Sequence, residues 1–120
     1  VERVVFCSGK VYYDLLQHRE TDELEQKVAL VRMEQFYPYA DTDVENTLKK
    51  YAKAKDIVWC QEEPKNMGAW TFVAPRLSEQ LKRGQKLRYA GRQASASPAA
   101  GQMKIHLVEQ ESLVKSALHG

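Results

Sequence analysis

Three uninterrupted apolar runs, rich in β-branched residues and bounded by polar ones, constrain this chain more than any other feature. They are Val4-Val5-Phe6-Cys7, Val28-Ala29-Leu30-Val31 and Ile57-Val58-Trp59-Cys60. A strand with one wet face alternates apolar and polar residues, whereas a run without alternation reads as a strand covered on both faces. A weaker fourth run, Leu87-Arg88-Tyr89-Ala90, follows later. Amphipathic stretches fill the intervals. From Lys10, Val11, Leu15 and Leu16 recur at helical spacing, with Tyr12 and Tyr13 beside them. Thr42 and Glu45 have capping-box spacing ahead of a stripe of Val44, Leu48, Tyr51 and Ala52. A third stretch carries Trp70, Val73, Leu77 and Leu81, and Pro75 inside it predicts a kink or restart because proline removes a backbone donor. The last runs from about Ile105 to Leu118, with Leu107, Val114 and Leu118 on one face and Glu111–Lys115 as an i,i+4 pair.

The order βαβαβαβα requires an α/β fold of three layers, αβα, in which a mainly parallel sheet carries helices on both faces. A strand order of 2-1-3-4 is expected. It sets the Ser8–Lys10 and Gln61–Asn66 loops side by side and ends neighbouring strands at Cys7 and Cys60. The 120 residues suit a single domain over residues 1–120. About two-thirds of the unfolded surface would be buried at that size, enough for a core without staples. Eighteen Lys and Arg against sixteen Asp and Glu leave a net +2, too balanced to argue for nucleic acid or an anionic membrane. No apolar run approaches the roughly 18 residues of a membrane span, and no signal-peptide pattern opens the chain. Cys7 and Cys60 form no C-x-x-C and have no ligand spacing to His18, His106 or His119, so they read as reduced, buried thiols without metal.

Ligands of such sheets bind outside the carboxyl ends of the strands. Three loops leave from those ends. Ser8-Gly9-Lys10 joins a strand to a helix: Gly9 permits close backbone approach, the helix start offers free N–H groups, and Lys10 adds charge. A tight turn with a surface lysine is the plainer reading, and Val11 stands where a P-loop has Ser or Thr. Gln61-Glu62-Glu63-Pro64-Lys65-Asn66 carries paired carboxylates, suited to acid–base work or, more simply, to capping and ion pairing. The long segment Gln93–Gly101 brings Arg92, Ser95 and Ser97 near the fourth strand, an arrangement that suits a phosphate or braces the loop. No G-x-S-x-G, no serine–histidine–acid order and no acidic pair after the first strand is present. The residues alone therefore reach an α/β domain with an anion or nucleotide crevice.

Taken together, the loops resemble one family. The strings are Val5-Phe6-Cys7-Ser8-Gly9-Lys10-Val11-Tyr12-Tyr13-Asp14-Leu15, Val31-Arg32-Met33-Glu34-Gln35, Trp59-Cys60-Gln61-Glu62-Glu63-Pro64-Lys65-Asn66-Met67-Gly68-Ala69-Trp70, and Tyr89-Ala90-Gly91-Arg92-Gln93-Ala94-Ser95-Ala96-Ser97-Pro98-Ala99, with His106 and Glu109-Gln110. They are similar to the carboxyl-terminal domain of thiamine-dependent 2-oxoglutarate dehydrogenases, in the bacterial form. Met33, Phe36, Met67, Thr71 and Gln93 depart mildly from the family pattern. The resemblance implies a transketolase-like carboxyl-terminal domain, cut from a much longer enzyme that decarboxylates 2-oxoglutarate and succinylates a lipoyl group. It implies thiamine diphosphate and magnesium in that enzyme but not in this segment, where the G-D-G…N signature is absent and no catalytic residue is expected. It implies as partners the rest of the chain, a second copy in a homodimer and a lipoyl-bearing succinyltransferase component. The location implied is the bacterial cytoplasm, or the mitochondrial matrix in a eukaryote. The family's effectors, AMP and acetyl-CoA, would be met by Lys10, Arg32, Gln61 and Arg92, with Ser8, Lys65 and Ser95 nearby. Trp70, Phe72 and Phe36-Tyr37-Pro38-Tyr39 are expected to contribute an exposed apolar interface. A purely structural α/β module or a stand-alone nucleotide-binding protein is the alternative.

Overall fold

The structure, a computed structural model, describes residues 1–34, 36, 38–94 and 103–120, the side chain of Lys104 excepted. The apolar runs form strands β1 (Arg3–Cys7), β2 (Val28–Arg32), β3 (Asp56–Pro64) and β4 (Lys86–Arg92). Helices α1 (Val11–Thr21), α2 (Asp41–Lys50), α3 (Trp70–Gln80) and α4 (Met103–His119) alternate with them. All strand pairs are parallel and the order is β2-β1-β3-β4. The expected order and the three-layer architecture are both present.

Alternation along the strands divides the interior in two. Val5, Cys7, Val58 and Cys60 face one side with Val11 and Leu15 of α1 and Leu113, Val114, Ala117 and Leu118 of α4. Val4, Phe6, Ile57 and Trp59 face the other, with Val44 and Leu48 of α2 and Val73 and Leu77 of α3. Each unbroken apolar run thus serves two cores, which is why it cannot alternate.

Several local expectations change. Cys7 ends β1 and lies in register with Cys60, but β3 continues to Pro64, so Gln61–Pro64 is strand rather than loop. Beyond Cys60 the pairing slips: β3 advances from Cys60 to Pro64 while β4 advances only from Ala90 to Arg92. Such a bulge re-aims side chains at a sheet rim. The capping box is not made. α2 begins two residues earlier than that cap requires, at Asp41, without a side-chain cap, and Glu45 instead forms an ion pair with Lys82. α3 runs through Pro75 without a restart. In α4 Val114 and Leu118 are buried and Glu111–Lys115 pairs at 3.1 Å, but Leu107 is 59% exposed. That residue belongs to an exposed first stretch with Met103, Ile105 and Val108. Of the residues expected to be exposed, Trp70, Phe72, Phe36 and Tyr39 are half-buried and pack on the second core, Pro38 is exposed, and Tyr37 lies outside the described residues.

Candidate functional site

The first turn is built as its sequence implies. Gly9 adopts φ +77°, the left-handed region that glycine enters without a Cβ penalty. α1 starts behind it, with the Tyr12 N–H donating to Gly9 O at 3.3 Å. An anionic group already sits on this turn: the Gly9 N–H donates to Glu34 Oε1 at 2.9 Å. The same oxygen accepts from Arg32 Nε at 2.6 Å. Arg32 also donates to the Tyr13 hydroxyl and lies about 5 Å from the ring centres of Tyr12 and Tyr13. The Gly9 N–H, and then the Arg32 guanidinium, hold the Glu34 carboxyl below the usual carboxylate range. Arg32, expected to grip a ligand, is balanced by a carboxylate two residues away.

Gln61 turns out to be an internal girder. It is 1% exposed and uses both ends of its amide. Its Oε1 accepts from Trp59 Nε1 at 2.8 Å and from the Trp70 N–H at 3.0 Å, so it holds the start of α3. Its Nε2 donates to the carbonyls of Glu63, Pro64 and Met67 at 2.8–3.1 Å. The strand slip after Cys60 makes room for this. Gly68, at φ +67°, passes so close that an added Cβ would stand 3.2 Å from Gln61 Oε1. In sequence a glutamine after an apolar run reads as a surface residue. The signal that marks it otherwise is its strand parity with Ile57 and Trp59.

Arg92 is likewise buried, its side chain 8% exposed. One terminal nitrogen donates to Glu62 O at 2.7 Å and the other to Gln110 Oε1 at 2.9 Å, with His106 at 3.4 Å. Glu109 stands 3.7 Å from Nε. The network continues, since Gln110 Nε2 donates to Asp14 and Glu62 at 2.9 and 3.0 Å. Arg92 and Gln110 thus tie α4 to β3 and α1. Sequence reasoning missed Gln110 and Asp14 as members of this network, because their meeting depends on how α4 lies across the sheet.

The seven expected effector residues do not converge on one spot. Arg32 ends one edge strand and Arg92 the other, three inter-strand spacings apart, on the order of 14 Å. Lys10 lines a depression of about 390 Å³ with Tyr13, Asp14, Glu62, His106 and Gln110. Arg32 lines a separate one with Glu34 and Asp43, and Ser8 another with Glu63 and Phe72. Lys65 is exposed, its Nζ 5.4 Å from the Tyr89 ring centre. Ser95 lies outside the described residues. Lys10 has no ion-pair partner among the described residues, so the depression it lines is the part of the crevice with an uncommitted cation.

Among the described residues no three His, Cys, Asp or Glu side chains gather as a metal set. Cys7 and Cys60 are free and buried: burial, then the Glu34 charge, pushes Cys7 up to about 12, and burial likewise raises Cys60.

Comparison with known proteins agrees with this picture. A solved structure described as a split-gene transketolase, in an inactive beta4 tetramer, superposes with a TM-score of 0.68 at 16% identity. It covers 98% of this chain and 38% of that one, a likeness that shows the fold. The 2-oxoglutarate dehydrogenase E1 components of Haemophilus influenzae and Cupriavidus necator are each 50% identical over 98% of this chain. That of Rickettsia typhi is 46% identical over the same share. The chain spans only 12–13% of the length of these relatives. The family described as "2-oxoglutarate dehydrogenase C-terminal" matches residues 1–118, and this chain belongs to it.

Proposed function

We propose that this chain works as the carboxyl-terminal domain of a 2-oxoglutarate dehydrogenase E1 component, an oxidoreductase of the bacterial cytoplasm. The whole enzyme would decarboxylate 2-oxoglutarate and pass the succinyl group to the lipoyl group of a succinyltransferase partner. The observation that carries this is the near-complete alignment of the chain, at 50% identity, with a small part of a much longer relative. Thiamine diphosphate and magnesium would supply the decarboxylation chemistry from other parts of that polypeptide. In this reading residues 1–120 supply packing surface rather than reacting groups. Met103, Ile105, Leu107 and Val108, exposed on one helical segment, are the apolar area offered to the rest of the enzyme or to its dimer partner. An adenine-nucleotide effector, AMP or acetyl-CoA, would place a phosphate by Lys10 and reach Arg32 only by displacing Glu34.

The test compares two proteins, the 120-residue chain and the full-length enzyme that contains it, with 2-oxoglutarate, thiamine diphosphate, magnesium and an artificial electron acceptor. The long chain turns over and the short one does not. Turnover by the short chain, in a preparation free of host enzyme, overturns the reading; so does a folded, cofactor-loaded long chain that leaves 2-oxoglutarate untouched.

A further inference from the structure

The chain's net charge conceals an asymmetry. Two segments, residues 49–56 and 81–86, hold seven of its eighteen cations and one acid, a net of six positive; the remainder is therefore four negative. The fold brings these segments together at the end of the sheet opposite the crevice, where α2 and α3 finish and β3 and β4 begin. They are stitched to each other. The Lys86 N–H donates to Lys55 O at 2.9 Å, and Lys55 Nζ donates to Arg83 O at 3.2 Å. Gln85, buried, donates to the carbonyls of Tyr51 and Ala54 at 3.3 and 3.0 Å. Lys82 is half-buried and paired with Glu45. The other six, Lys49, Lys50, Lys53, Lys55, Arg83 and Lys86, are exposed.

Elsewhere several cations are neutralised, since Arg3 and Arg88 share Asp56 and Arg32, Arg92 and Lys115 each face a glutamate. Lys10, Arg19, Lys27, Lys65 and Arg76 have no carboxylate partner among the described residues but lie outside the two segments. Asp56, the one acid of the two segments, is spent on those arginines. Among the described residues none of the six exposed cations is paired with a carboxylate. Gathering like charges this way works against the fold, because they repel. Holding the two loops in register by buried hydrogen bonds fixes the gathering in place.

We infer that this basic corner docks an acidic protein surface, a carboxylate-rich face or segment of another polypeptide, through salt-sensitive contacts. The composition of the corner selects that partner class. Five of the six cations are lysines, point charges that balance scattered carboxylates, whereas phosphate recognition favours the arginine fork. Single-stranded nucleic acid needs exposed rings on which bases stack. The one ring here, Tyr51, is half-buried with Lys50 Nζ 5.3 Å from its centre. A membrane surface needs apolar residues to insert, yet every large apolar residue exposed among those described lies outside the two segments. Complementary potential without an apolar centre gives rapid, reversible capture rather than a permanent interface.

The experiment titrates the chain with poly-L-glutamate, and separately with an oligothymidylate of matched charge and with phosphatidylserine vesicles, at about 50 and 300 mM salt. Two triple variants of equal net charge are compared: Lys49→Glu/Lys53→Glu/Lys86→Glu in the corner and Lys10→Glu/Lys27→Glu/Lys65→Glu elsewhere. Circular dichroism confirms that both fold. Poly-L-glutamate binds the native chain best and loses affinity steeply with salt. The corner triple weakens it at least about tenfold and the scattered triple by about twofold or less. Equal losses in the two triples overturn the inference, because net charge alone would then account for binding. Tighter binding to the oligothymidylate or to vesicles overturns the partner class.

Discussion

The two ends of the sheet handle charge in opposite ways. At the carboxyl end Arg32 lies on Glu34 and Arg92 is enclosed by Glu62, His106, Glu109 and Gln110, so the guanidinium groups are already bound by the chain itself. At the amino end six exposed cations have no carboxylate partner among the described residues. The carboxyl end is where α/β folds place ligands, and a reader of the sequence looks there for free charge. The difference teaches that an arginine's position at a strand end says little about its availability. What decides is whether a neighbouring element delivers an acceptor.

If the carboxyl end is built as internal structure, its polar residues must carry stability, and Gln61 is the strongest place to break the comparison. Gln61→Leu keeps roughly the volume but leaves the Trp59 ring N–H, the Trp70 N–H and the Met67 carbonyl without that partner, while the Glu63 and Pro64 carbonyls keep the Tyr89 hydroxyl and the Met67 N–H. Buried unsatisfied groups cost about 1–3 kcal/mol each when no water reaches them, and partial relaxation should leave a total of about 3–4 kcal/mol. Urea unfolding checks this; a loss below about 1 kcal/mol would mean the amide is not the girder its geometry describes.

Arg92→Ala comes next. It removes the donors to Glu62 O and to Gln110 and leaves Glu109 without its cation. About 2–3 kcal/mol is expected, concentrated in the docking of α4. Amide exchange separates this from a general loss: protection should fall in α4 more than in β1. Uniform loss would show that Arg92 does not act as a tie for that helix.

The basic corner should behave in the reverse sense. Lys49→Gln/Lys53→Gln/Lys86→Gln removes repulsion and no ion pair among the described residues, so stability should stay within about 0.5 kcal/mol and rise slightly at low salt. A thermal melt at two ionic strengths reads it. A clear drop would mean that these lysines hold the fold together.

Much of this contrast is legible in the sequence and part is not, for physical reasons. The apolar runs are local signals, and they specify strands and layers, while the connection rules narrow the strand order without fixing it. At Pro75 α3 runs on without a restart, because it tolerates one missing donor when Val73 and Leu77 are buried against the sheet. Thr42 and Glu45 mislead: a capping motif competes with tertiary partners, and Lys82 wins Glu45. The site is harder still. Gln61, Arg92 and Gln110 are recognisable as polar residues near strand ends or on a helix, but their roles depend on the slip after Cys60 and the placement of α4. Those are long-range facts.

The smallest expected effect is also the sharpest test of the carboxyl end. Glu34 is half exposed, and its carboxyl is held low by the Gly9 N–H and then by Arg32. A carboxylate with a lowered folded-state pKa contributes stability above its unfolded value, near 4.3, and loses it as pH falls through the folded value. NMR titration of the Glu34 side chain should therefore place its midpoint below the ordinary glutamate value, and Arg32→Gln should move it back part of the way. Glu34→Gln should leave stability nearly unchanged, because exposed ion pairs contribute little. It also frees the Gly9 N–H and Arg32 from a fixed negative charge. If an effector phosphate reaches this turn, AMP affinity, measured by calorimetry on the full-length enzyme, should rise about twofold to fivefold in Glu34→Gln. Unchanged affinity in that variant, with Lys10→Ala still weakening binding, would confine the phosphate to the depression beside α4 and leave Arg32 and Glu34 as a closed pair that only fastens β2 to the first turn of α1.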